Sequence, residues 1–372
     1  MMLAALTALT VTIWLGPRFI KCLYELKTGQ SIRVEDCPML ARLHEKKKDT
    51  PTMGGVLIIF SILVGAFLWM DLSSSYTLIF CAALVWLGLV GGYDDYLKLK
   101  HKNSKGLSPR KKFLAQIVFA GAIAGYGLIP GWADEIGSGQ CFSPPLAKEF
   151  SQGASQTLST QEFMAQYYVP FYKKPVVQLT GAGIAVAFLV TIFVITGSSN
   201  AVNLTDGLDG LAAGCVLLVA AVLALVAFLS NNLEMARYLN ILYIEGASEI
   251  GVFLCCMIGA CLGFLWFNGY PAQVFMGDTG SLALGGALGV AAVLLRRELL
   301  LALVGGVFVV EALSVILQVA SFRWRHKKRI FLCAPLHHHF EYRGWPETKV
   351  VLRFWILGLV LAVIGAISLK LQ

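Results

Sequence analysis

Residues 207–230 read GLDGLAAGCVLLVAAVLALVAFLS, an apolar stretch whose only charge is that of Asp209. Because a helix needs about 20 apolar residues to cross the hydrocarbon core, this stretch predicts a membrane-spanning helix. The rest of the chain has the same character: 57% of its 372 residues are hydrophobic, only 14% are charged, and the mean hydropathy is +0.71. This composition excludes an ordinary soluble globular protein.

Nine other apolar runs of similar length flank this stretch. The ten runs lie at roughly 3–22, 53–72, 76–97, 112–133, 176–197, 207–230, 249–267, 279–295, 299–322 and 351–371. The run at 279–295 is short and rich in glycine and alanine, so it is the weakest of the ten. Together they leave little material for a separate soluble domain. The sequence therefore predicts an all-α, polytopic membrane protein with about ten transmembrane helices and a single domain, residues 1–372.

Basic residues are concentrated in alternate connecting segments. Segments 23–52, 98–112 and 323–350 contain six, seven and seven Lys and Arg residues, whereas 134–174, 231–248 and 296–298 contain three, one and two. By the positive-inside rule, the basic segments are predicted to be cytoplasmic, together with 198–206 and 268–278. Both termini and the external loop 134–174 then lie outside the cytoplasm. The net charge of +8 thus matches a lipid bilayer with anionic headgroups, and no nucleic-acid partner is expected.

Five of the nine aspartates stand at the ends of apolar runs, on the predicted cytoplasmic side. They are Asp94, Asp95, Asp206, Asp209 and Asp278. Carboxylates are costly near a bilayer, so their concentration on one face points to a divalent cation and a phosphate-bearing substrate. On a helix, Asp94 and Lys98 share a face, whereas Asp95 points about 100° away. The two neighbouring carboxylates are therefore predicted to have different tasks.

Two further cytoplasmic motifs are suited to a nucleotide. Asp206 and Asp209 are three residues apart and would lie on one side of a helix, next to glycines that allow a ligand to approach closely. The turn-rich segment 268–278 contains Phe275, which could stack on a base, and Asp278, an oxygen ligand for a hard cation such as Mg²⁺. Each motif alone also fits a structural role, as a helix cap or an interfacial aromatic.

Two phosphate-binding candidates complete the set. The segment Lys46–Gly55 is basic, hydroxyl-bearing and glycine-rich, as a phosphate-binding loop requires. Three of the six histidines are consecutive, at 337–339, and could donate hydrogen bonds to phosphate oxygens. Their spacing does not suit a zinc site. The motifs together offer carboxylates that could bind a divalent cation, basic side chains that could bind phosphates and an aromatic ring that could stack on a base. This combination predicts a membrane transferase that joins a nucleotide-activated group to a lipid phosphate.

Four of these strings carry a resemblance to a known family. They are TPTMGG at 50–55, the pattern Asp94-Asp95-x-x-Lys98, NLTDGLDG at 203–210 and PLHHHFE at 335–341. They resemble the phospho-N-acetylmuramoyl-pentapeptide-transferases, which are polyprenyl-phosphate N-acetylhexosamine-1-phosphate transferases. The resemblance implies ten transmembrane helices, a cytoplasmic cleft and a location in the bacterial cytoplasmic (inner) membrane. It also implies Mg²⁺-dependent transfer of phospho-MurNAc-pentapeptide from its UDP carrier to undecaprenyl phosphate, the first membrane step of peptidoglycan synthesis.

The resemblance also suggests individual roles. Asp278 is expected to be the Mg²⁺ ligand, with Asp94 and Asp95 close to the diphosphate and His337 as a further catalytic residue. Eleven other residues are expected to bind substrate: Lys47, Thr52, Lys98, Lys112, Asn203, Asp206, Asp209, Asn268, Phe275, His338 and His339.

The sequence leaves several alternatives open. A carboxylate could attack the β-phosphate and form a phospho-enzyme, or the lipid phosphate could attack directly, which we favour because it is already ionised near neutral pH. A sister transferase that moves GlcNAc-1-phosphate is the nearest rival. An ion-coupled transporter that uses Glu311 and Gln318, which are one heptad apart, belongs to a different class. The oligomeric state is open, and a homodimer is allowed.

Overall fold

The structure is a computed structural model that describes residues 1–26, 47, 50–101, 106–132, 146–151, 154–325 and 328–370. Most of the predicted loop 23–52, and parts of the predicted loops 98–112, 134–174 and 323–350, lie outside these residues. The longer helices are α1 (Met2–Glu25), α2 (Gly55–Trp69), α3 (Ser75–His101), α4 (Pro109–Leu128), α6 (Gly183–Thr205), α7 (Leu211–Ser230), α9 (Ala247–Asn268), α10 (Gly277–Leu294), α12 (Gly306–Trp324) and α14 (Glu347–Ser368). The shorter ones are α5 (Thr160–Met164), α8 (Leu233–Leu239), α11 (Glu298–Val304) and α13 (Leu336–Tyr342).

Every predicted apolar run contains a helix. Among the described residues, eight helices are long and apolar enough to cross a membrane: α1, α3, α6, α7, α9, α10, α12 and α14. Helix α2 has 15 residues, and α4 begins with the basic residues Arg110, Lys111 and Lys112. The prediction of an all-α, polytopic membrane protein is confirmed.

Two boundaries differ from those expected. The run at 299–322 is not one helix but two, because α11 ends at Val304 and α12 begins at Gly306, and paired glycines favour such a break. Residues 198–205, predicted as part of a loop, continue α6 to Thr205. Their hydroxyls are not solvated: those of Ser198 and Ser199 donate to the carbonyls of Gly285 and Leu282 on α10, at 2.7 and 2.9 Å.

Five short strands accompany the helices. Strands β1 (Ala147–Ser151) and β2 (Ala154–Leu158) form an antiparallel hairpin in which Ala147 faces Leu158, and β5 (Tyr243–Ile244) pairs with the other edge of β1. Strands β3 (Gln166–Tyr167) and β4 (Val177–Gln178) form a second antiparallel pair. The hairpin, α5 and β3 all fall in the segment 134–174, which the sequence predicts to be an external loop.

Helix α10 lies at the centre of the bundle. Its most apolar 18-residue window is 89% buried, against 28–72% for the other candidate spans. Glycine and alanine dominate its sequence because α3 and α6 pack closely against it. On α3, Gly91 lies so close to the first turn of α10 that a Cβ atom there would overlap the carbonyl oxygen of Asp278. This approach brings the acidic end of α3 to the start of α10.

We expect Gly91→Ala to destabilise the folded protein by about 1–3 kcal/mol, the usual cost of overpacking a core. Its matched control is the neighbouring Gly92→Ala, whose added Cβ would lie 3.6 Å from Thr279 Oγ1, an ordinary contact. Thermal unfolding of both variants in detergent measures the difference. Equal unfolding temperatures would show that α3 and α10 can move apart without cost.

Candidate active site

Four helix ends meet at one cluster of charged side chains. Asp94, Asp95 and Lys98 lie near the C-terminus of α3, Lys112 in the first turn of α4, and Asp278 in the first turn of α10. Oxygen atoms of Asp94, Asp95 and Asp278 all lie within 4.8 Å of one another. Asn203, from the last turn of α6, completes the cluster. The structure thus brings together five of the charged residues that the sequence singled out, across 184 residues of chain.

The two lysines neutralise most of the carboxylate charge. Lys98 Nζ lies 2.7 Å from Asp94 Oδ2 and 2.9 Å from Asp278 Oδ2. Lys112 Nζ donates to the same oxygen of Asp278 and lies 3.7 Å from Asp94 Oδ2. Three carboxylates and two ammonium groups leave one net negative charge. Both lysines keep part of their side chains accessible, so a ligand that enters the cluster could contact them.

Asp95 binds the start of α10. Its carboxylate accepts hydrogen bonds from the backbone amides of Asp278 and Thr279, at 3.2 and 3.0 Å, and from Thr279 Oγ1, at 2.8 Å. A carboxylate here satisfies helix N-terminal amides and interacts favourably with the helix dipole. The two carboxylates differ in their shortest contacts: Asp94 lies 2.7 Å from Lys98 Nζ, whereas Asp95 lies 3.5 Å from the same ammonium group and binds the amides of Asp278 and Thr279.

The remaining carboxylate oxygens are also occupied. Asp94 Oδ1 accepts the amide of Leu107 at 2.6 Å. Asn203 Nδ2 lies 2.8 Å from Asp278 Oδ1 and 2.9 Å from Ser281 Oγ. The amide of Asn203 therefore orients Asp278 from the side opposite the lysines.

The chemistry of this donor set fits Mg²⁺. Hard cations take oxygen ligands, and three carboxylates at this separation supply them. Asp94 and Asp278 are better placed than Asp95, whose oxygens bind the start of α10. The ammonium groups of Lys98 and Lys112 now balance the charge that a divalent cation would balance.

A second charged cluster lies beside the first. Lys47 Nζ is 2.6 Å from both Asp209 Oδ1 and Glu347 Oε1, the latter on the first residue of α14. Glu347 Oε1 also accepts the backbone amide of Asp209 at 2.8 Å, and Asp209 Oδ2 accepts that of Ala272 at 3.0 Å. Lys47 and Asp209, which were predicted to bind substrate, are thus in direct contact.

Phe275 contributes an aromatic ring to this second cluster. Lys47 Nζ lies 6.0 Å from the centre of its ring, which is partly exposed. The backbone amide of Phe275 donates to Pro51, and its carbonyl accepts the amide of Gly54, both at 2.8 Å. The segments around Thr52 and Phe275, more than 200 residues apart in sequence, are therefore held side by side. Thr52 itself is buried beside Gly277 and Asp95.

Asp206 lies between the two clusters and accepts the backbone amide of Gly277. Burial, with the negative charges of Asp278 and Asp95, raises the pKa of Asp206 to about 8. Asp206 and Asp209 do not share a helical face, because Asp206 ends α6 and Asp209 lies in the turn before α7. Asn268 supports that turn, since its Oδ1 accepts the amide of Gly210 at 2.9 Å.

The three histidines point in three directions. His337 is buried, 3.2 Å from the carboxylate of Glu311 on α12. His338 Nδ1 lies 2.8 Å from Glu341 Oε2. His339 Nδ1 accepts the amide of Leu332, which leaves Nε2–H as a donor, and partial burial near Arg343 lowers the pKa of this imidazole. His338 and His339 are accessible enough to contact a ligand, whereas His337 is not.

Sequence reasoning missed three residues of the site. They are Glu347, Thr279 and Ser281, which contact Lys47, Asp95 and Asn203. The last two follow Asp278 in the first turn of α10, where hydroxyls next to a predicted ligand were a usable signal. Glu347 carried no such signal, because its partner is 300 residues away.

Comparison with known proteins is consistent with this arrangement. The model of glycosyl transferase family 4 matches residues 76–296, and a phospho-N-acetylmuramoyl-pentapeptide-transferase signature matches residues 47–59. The chain is 60% identical to the phospho-N-acetylmuramoyl-pentapeptide-transferase of Protochlamydia amoebophila, over 100% of this chain and 93% of the relative. Enzymes of the same name from Thermodesulfovibrio yellowstonii and Desulfotalea psychrophila are each 45% identical, over 100% and 99% of this chain and 93% and 92% of their own lengths.

Proposed function

Because the chain belongs to the phospho-N-acetylmuramoyl-pentapeptide-transferase family, we propose that it transfers phospho-MurNAc-pentapeptide from UDP-MurNAc-pentapeptide to undecaprenyl phosphate, giving lipid I and UMP. The observation that carries this proposal is the cluster of Asp94, Asp95 and Asp278 with Lys98 and Lys112. Phosphoryl transfer depends mainly on positioning and charge stabilisation, and these groups supply both. The whole chain, 1–372, would form one catalytic domain.

The reaction forms a bond from a lipid phosphate oxygen to the β-phosphorus and breaks the bond from that phosphorus to the bridging oxygen. Lys98 and Lys112 would contact the diphosphate oxygens and stabilise the charge that develops on the leaving UMP. Asp278 holds both ammonium groups in position, since each lies within hydrogen-bonding distance of Oδ2.

Direct attack by the lipid phosphate is the scheme that the contacts favour. Each of the three carboxylates already accepts hydrogen bonds from a lysine, an amide or a hydroxyl, which lowers its nucleophilicity. A phospho-enzyme would require one of them to lose these donors. A lipid phosphate is ionised near neutral pH and needs no such activation.

Mg²⁺ is the cofactor that the oxygen donors suit, and Asp278, together with Asp94, would hold it. When bound, the cation would neutralise charge on the diphosphate and polarise the phosphorus–oxygen bond.

The site is proposed to face the cytoplasm, from a bacterial cytoplasmic (inner) membrane. The aspartates lie at helix ends, which sets the reacting atoms near headgroup depth, where the phosphate of undecaprenyl phosphate lies. The basic predicted loops on the same side support this orientation.

The uridine part of the substrate would bind at the cluster of Lys47, Asp209 and Glu347, with the base on Phe275. An aromatic ring stacks on a base, and the adjacent carboxylates and ammonium group offer acceptors and a donor for its polar edge. The accessible His338 and His339 would contact the phosphate side of the substrate.

Glu347→Ala tests this pocket. It removes an acceptor from Lys47 and from the amide of Asp209, so we expect KM for the UDP-linked substrate to rise about tenfold, near the lower limit for loss of a charged hydrogen bond. We expect kcat to change little, because Glu347 does not contact the carboxylate cluster. Steady-state kinetics at saturating lipid measure both.

Glu249→Ala is the control, since Glu249 lies in the first turn of α9, the end remote from Asn268, and accepts only the amide of Asp71 among the bonds described. An unchanged KM in Glu347→Ala would show that Glu347 and its contacts with Lys47 and Asp209 do not contribute to substrate binding.

The proposed function is tested by supplying the purified protein with undecaprenyl phosphate and either UDP-MurNAc-pentapeptide or UDP-GlcNAc, with Mg²⁺ or with EDTA. We expect lipid-linked product only from the muramoyl substrate, and only with Mg²⁺. Product from UDP-GlcNAc alone would assign the chain to the sister reaction. Ion flux in proteoliposomes without UMP release would support the transporter instead.

A further inference from the structure

A buried acid–imidazole pair lies outside the two clusters described above. Glu311, in the second turn of the apolar helix α12, is 0% exposed, and His337, at the start of α13, is 1% exposed. Burial of a carboxylate in a membrane helix is costly, so such a residue calls for a specific partner. His337 is that partner: its backbone amide donates to Glu311 Oε1 at 3.1 Å, and its Nδ1 lies 3.2 Å from Oε2.

The other edge of the same imidazole faces the substrate-side turn. Neither ring nitrogen of His337 makes a hydrogen bond to a described residue: Nδ1 approaches Glu311 Oε2 at 3.2 Å without hydrogen-bond geometry, and Nε2 has no hydrogen-bond partner. It lies against Gly207, where a Cβ atom would overlap it. Gly207 lies between Asp206 and Asp209, so the ring touches the turn that carries both.

The same helix face binds the rest of the histidine segment. Gln318, seven residues after Glu311, accepts the amides of Ile330 and Phe331 at 3.0 Å and donates to the carbonyl of Phe331. Glu311 and Gln318 therefore hold the start of α13 and the segment before it. Of the two, only Glu311 contacts His337.

We propose that Glu311 is a positioning residue for the transfer reaction. It holds His337 at its amide and near Nδ1, which sets Nε2 against Gly207. This contact fixes the positions of Asp206 and Asp209 relative to Asp94, Asp95 and Asp278. This inference rests on the proposed function. Nothing in the arrangement requires Glu311 to contact substrate. A carboxylate on Nδ1 fixes the orientation of an imidazole and favours the tautomer that leaves Nε2 free.

A double-mutant cycle tests the proposal. Glu311→Gln keeps the size of the side chain and an acceptor for the amide of His337, but it loses the negative charge at Nδ1. We expect kcat to fall roughly tenfold, as for other residues that orient a functional imidazole, with KM for undecaprenyl phosphate unchanged. In a His337→Ala background, we expect the same substitution to lower kcat by less than about twofold, because coupled residues are non-additive.

Gln318→Ala is the matched control, since it loosens the same segment without contacting His337. We expect its effect to multiply with that of His337→Ala. Multiplicative effects of Glu311→Gln and His337→Ala would overturn the proposal, because they would show that Glu311 acts through packing alone.

A second measurement does not depend on activity. The chain has only six histidines, so ¹⁵N-histidine spectra of the full-length protein in detergent are simple enough to assign the His337 signals by their loss in His337→Ala. We expect Glu311→Gln to shift those signals, and Gln318→Ala to leave them in place. Unchanged signals in Glu311→Gln would also overturn the proposal. If the wild-type protein makes no lipid-linked product, the proposed function is refuted. The spectra would still show whether Glu311 contacts His337.

Discussion

Asp278→Asn is expected to lower the rate of lipid-linked product formation by about 10²- to 10³-fold or more, the usual effect of losing a preorganised electrostatic group. The substitution removes the charge that holds Lys98 and Lys112 together, and it replaces an oxygen that accepts both ammonium groups with an amide. It also removes the favoured Mg²⁺ ligand. The helix start should survive, because the amide of residue 278 still donates to Asp95.

Asp71→Asn serves as the control for Asp278→Asn. Asp71 lies between α2 and α3, is exposed, and accepts the amide of Ser73. Product formation by both variants, each purified as a folded protein, is measured from radiolabelled UDP-MurNAc-pentapeptide. If Asp278→Asn kept more than a tenth of the wild-type kcat, Asp278 would not be part of the reaction centre.

Substitution of Asp94 and substitution of Asp95 should differ in their effects on activity and on stability. Asp95→Ala should lower both activity and stability, because it leaves the amides of Asp278 and Thr279 and the hydroxyl of Thr279 without their acceptor. Loss of such a buried charged acceptor costs about 2–5 kcal/mol. Asp94→Ala should abolish activity with a smaller loss of stability, because its partners, Lys98 and the amide of Leu107, lie nearer to solvent.

Thermal unfolding and product formation, measured on the two variants side by side, give both quantities. If Asp94→Ala were the less stable of the two, or if Asp95→Ala unfolded at the wild-type temperature, the division of tasks between the two carboxylates would be wrong.

Local patterns in the sequence predicted much of the fold. Apolar runs of about 20 residues identified the helices, because a membrane span must satisfy its own backbone. The spacing of Asp94 and Lys98 predicted their close contact, at 2.7 Å, whereas the longer contact of Lys98 with Asp95, at 3.5 Å, was not expected. The break at Gly305 was harder to predict, since glycine also serves close packing in membrane helices.

Contacts between distant residues could not be predicted in the same way. Asp95 binds Thr279, and Lys47 binds Glu347, through helix placements that no local pattern encodes. The polar string at 198–205 suggested a loop because polar residues favour solvent, whereas Ser198 and Ser199 bond to the carbonyls of α10. His337 was expected beside phosphate, yet its side chain is buried against Glu311. Each of these outcomes depends on which neighbour a polar group finds inside the bundle.

The most direct test of the central claim is the release of UMP in proteoliposomes that contain the wild-type protein, Mg²⁺ and UDP-MurNAc-pentapeptide, with and without undecaprenyl phosphate. Direct transfer at the cluster of Asp94, Asp95, Asp278, Lys98 and Lys112 predicts UMP only when the lipid is present. The released UMP should be in a one-to-one ratio with lipid-linked phospho-MurNAc-pentapeptide. A burst of one UMP per protein without lipid would contradict direct attack, and an absence of UMP with both substrates present would contradict the transfer itself.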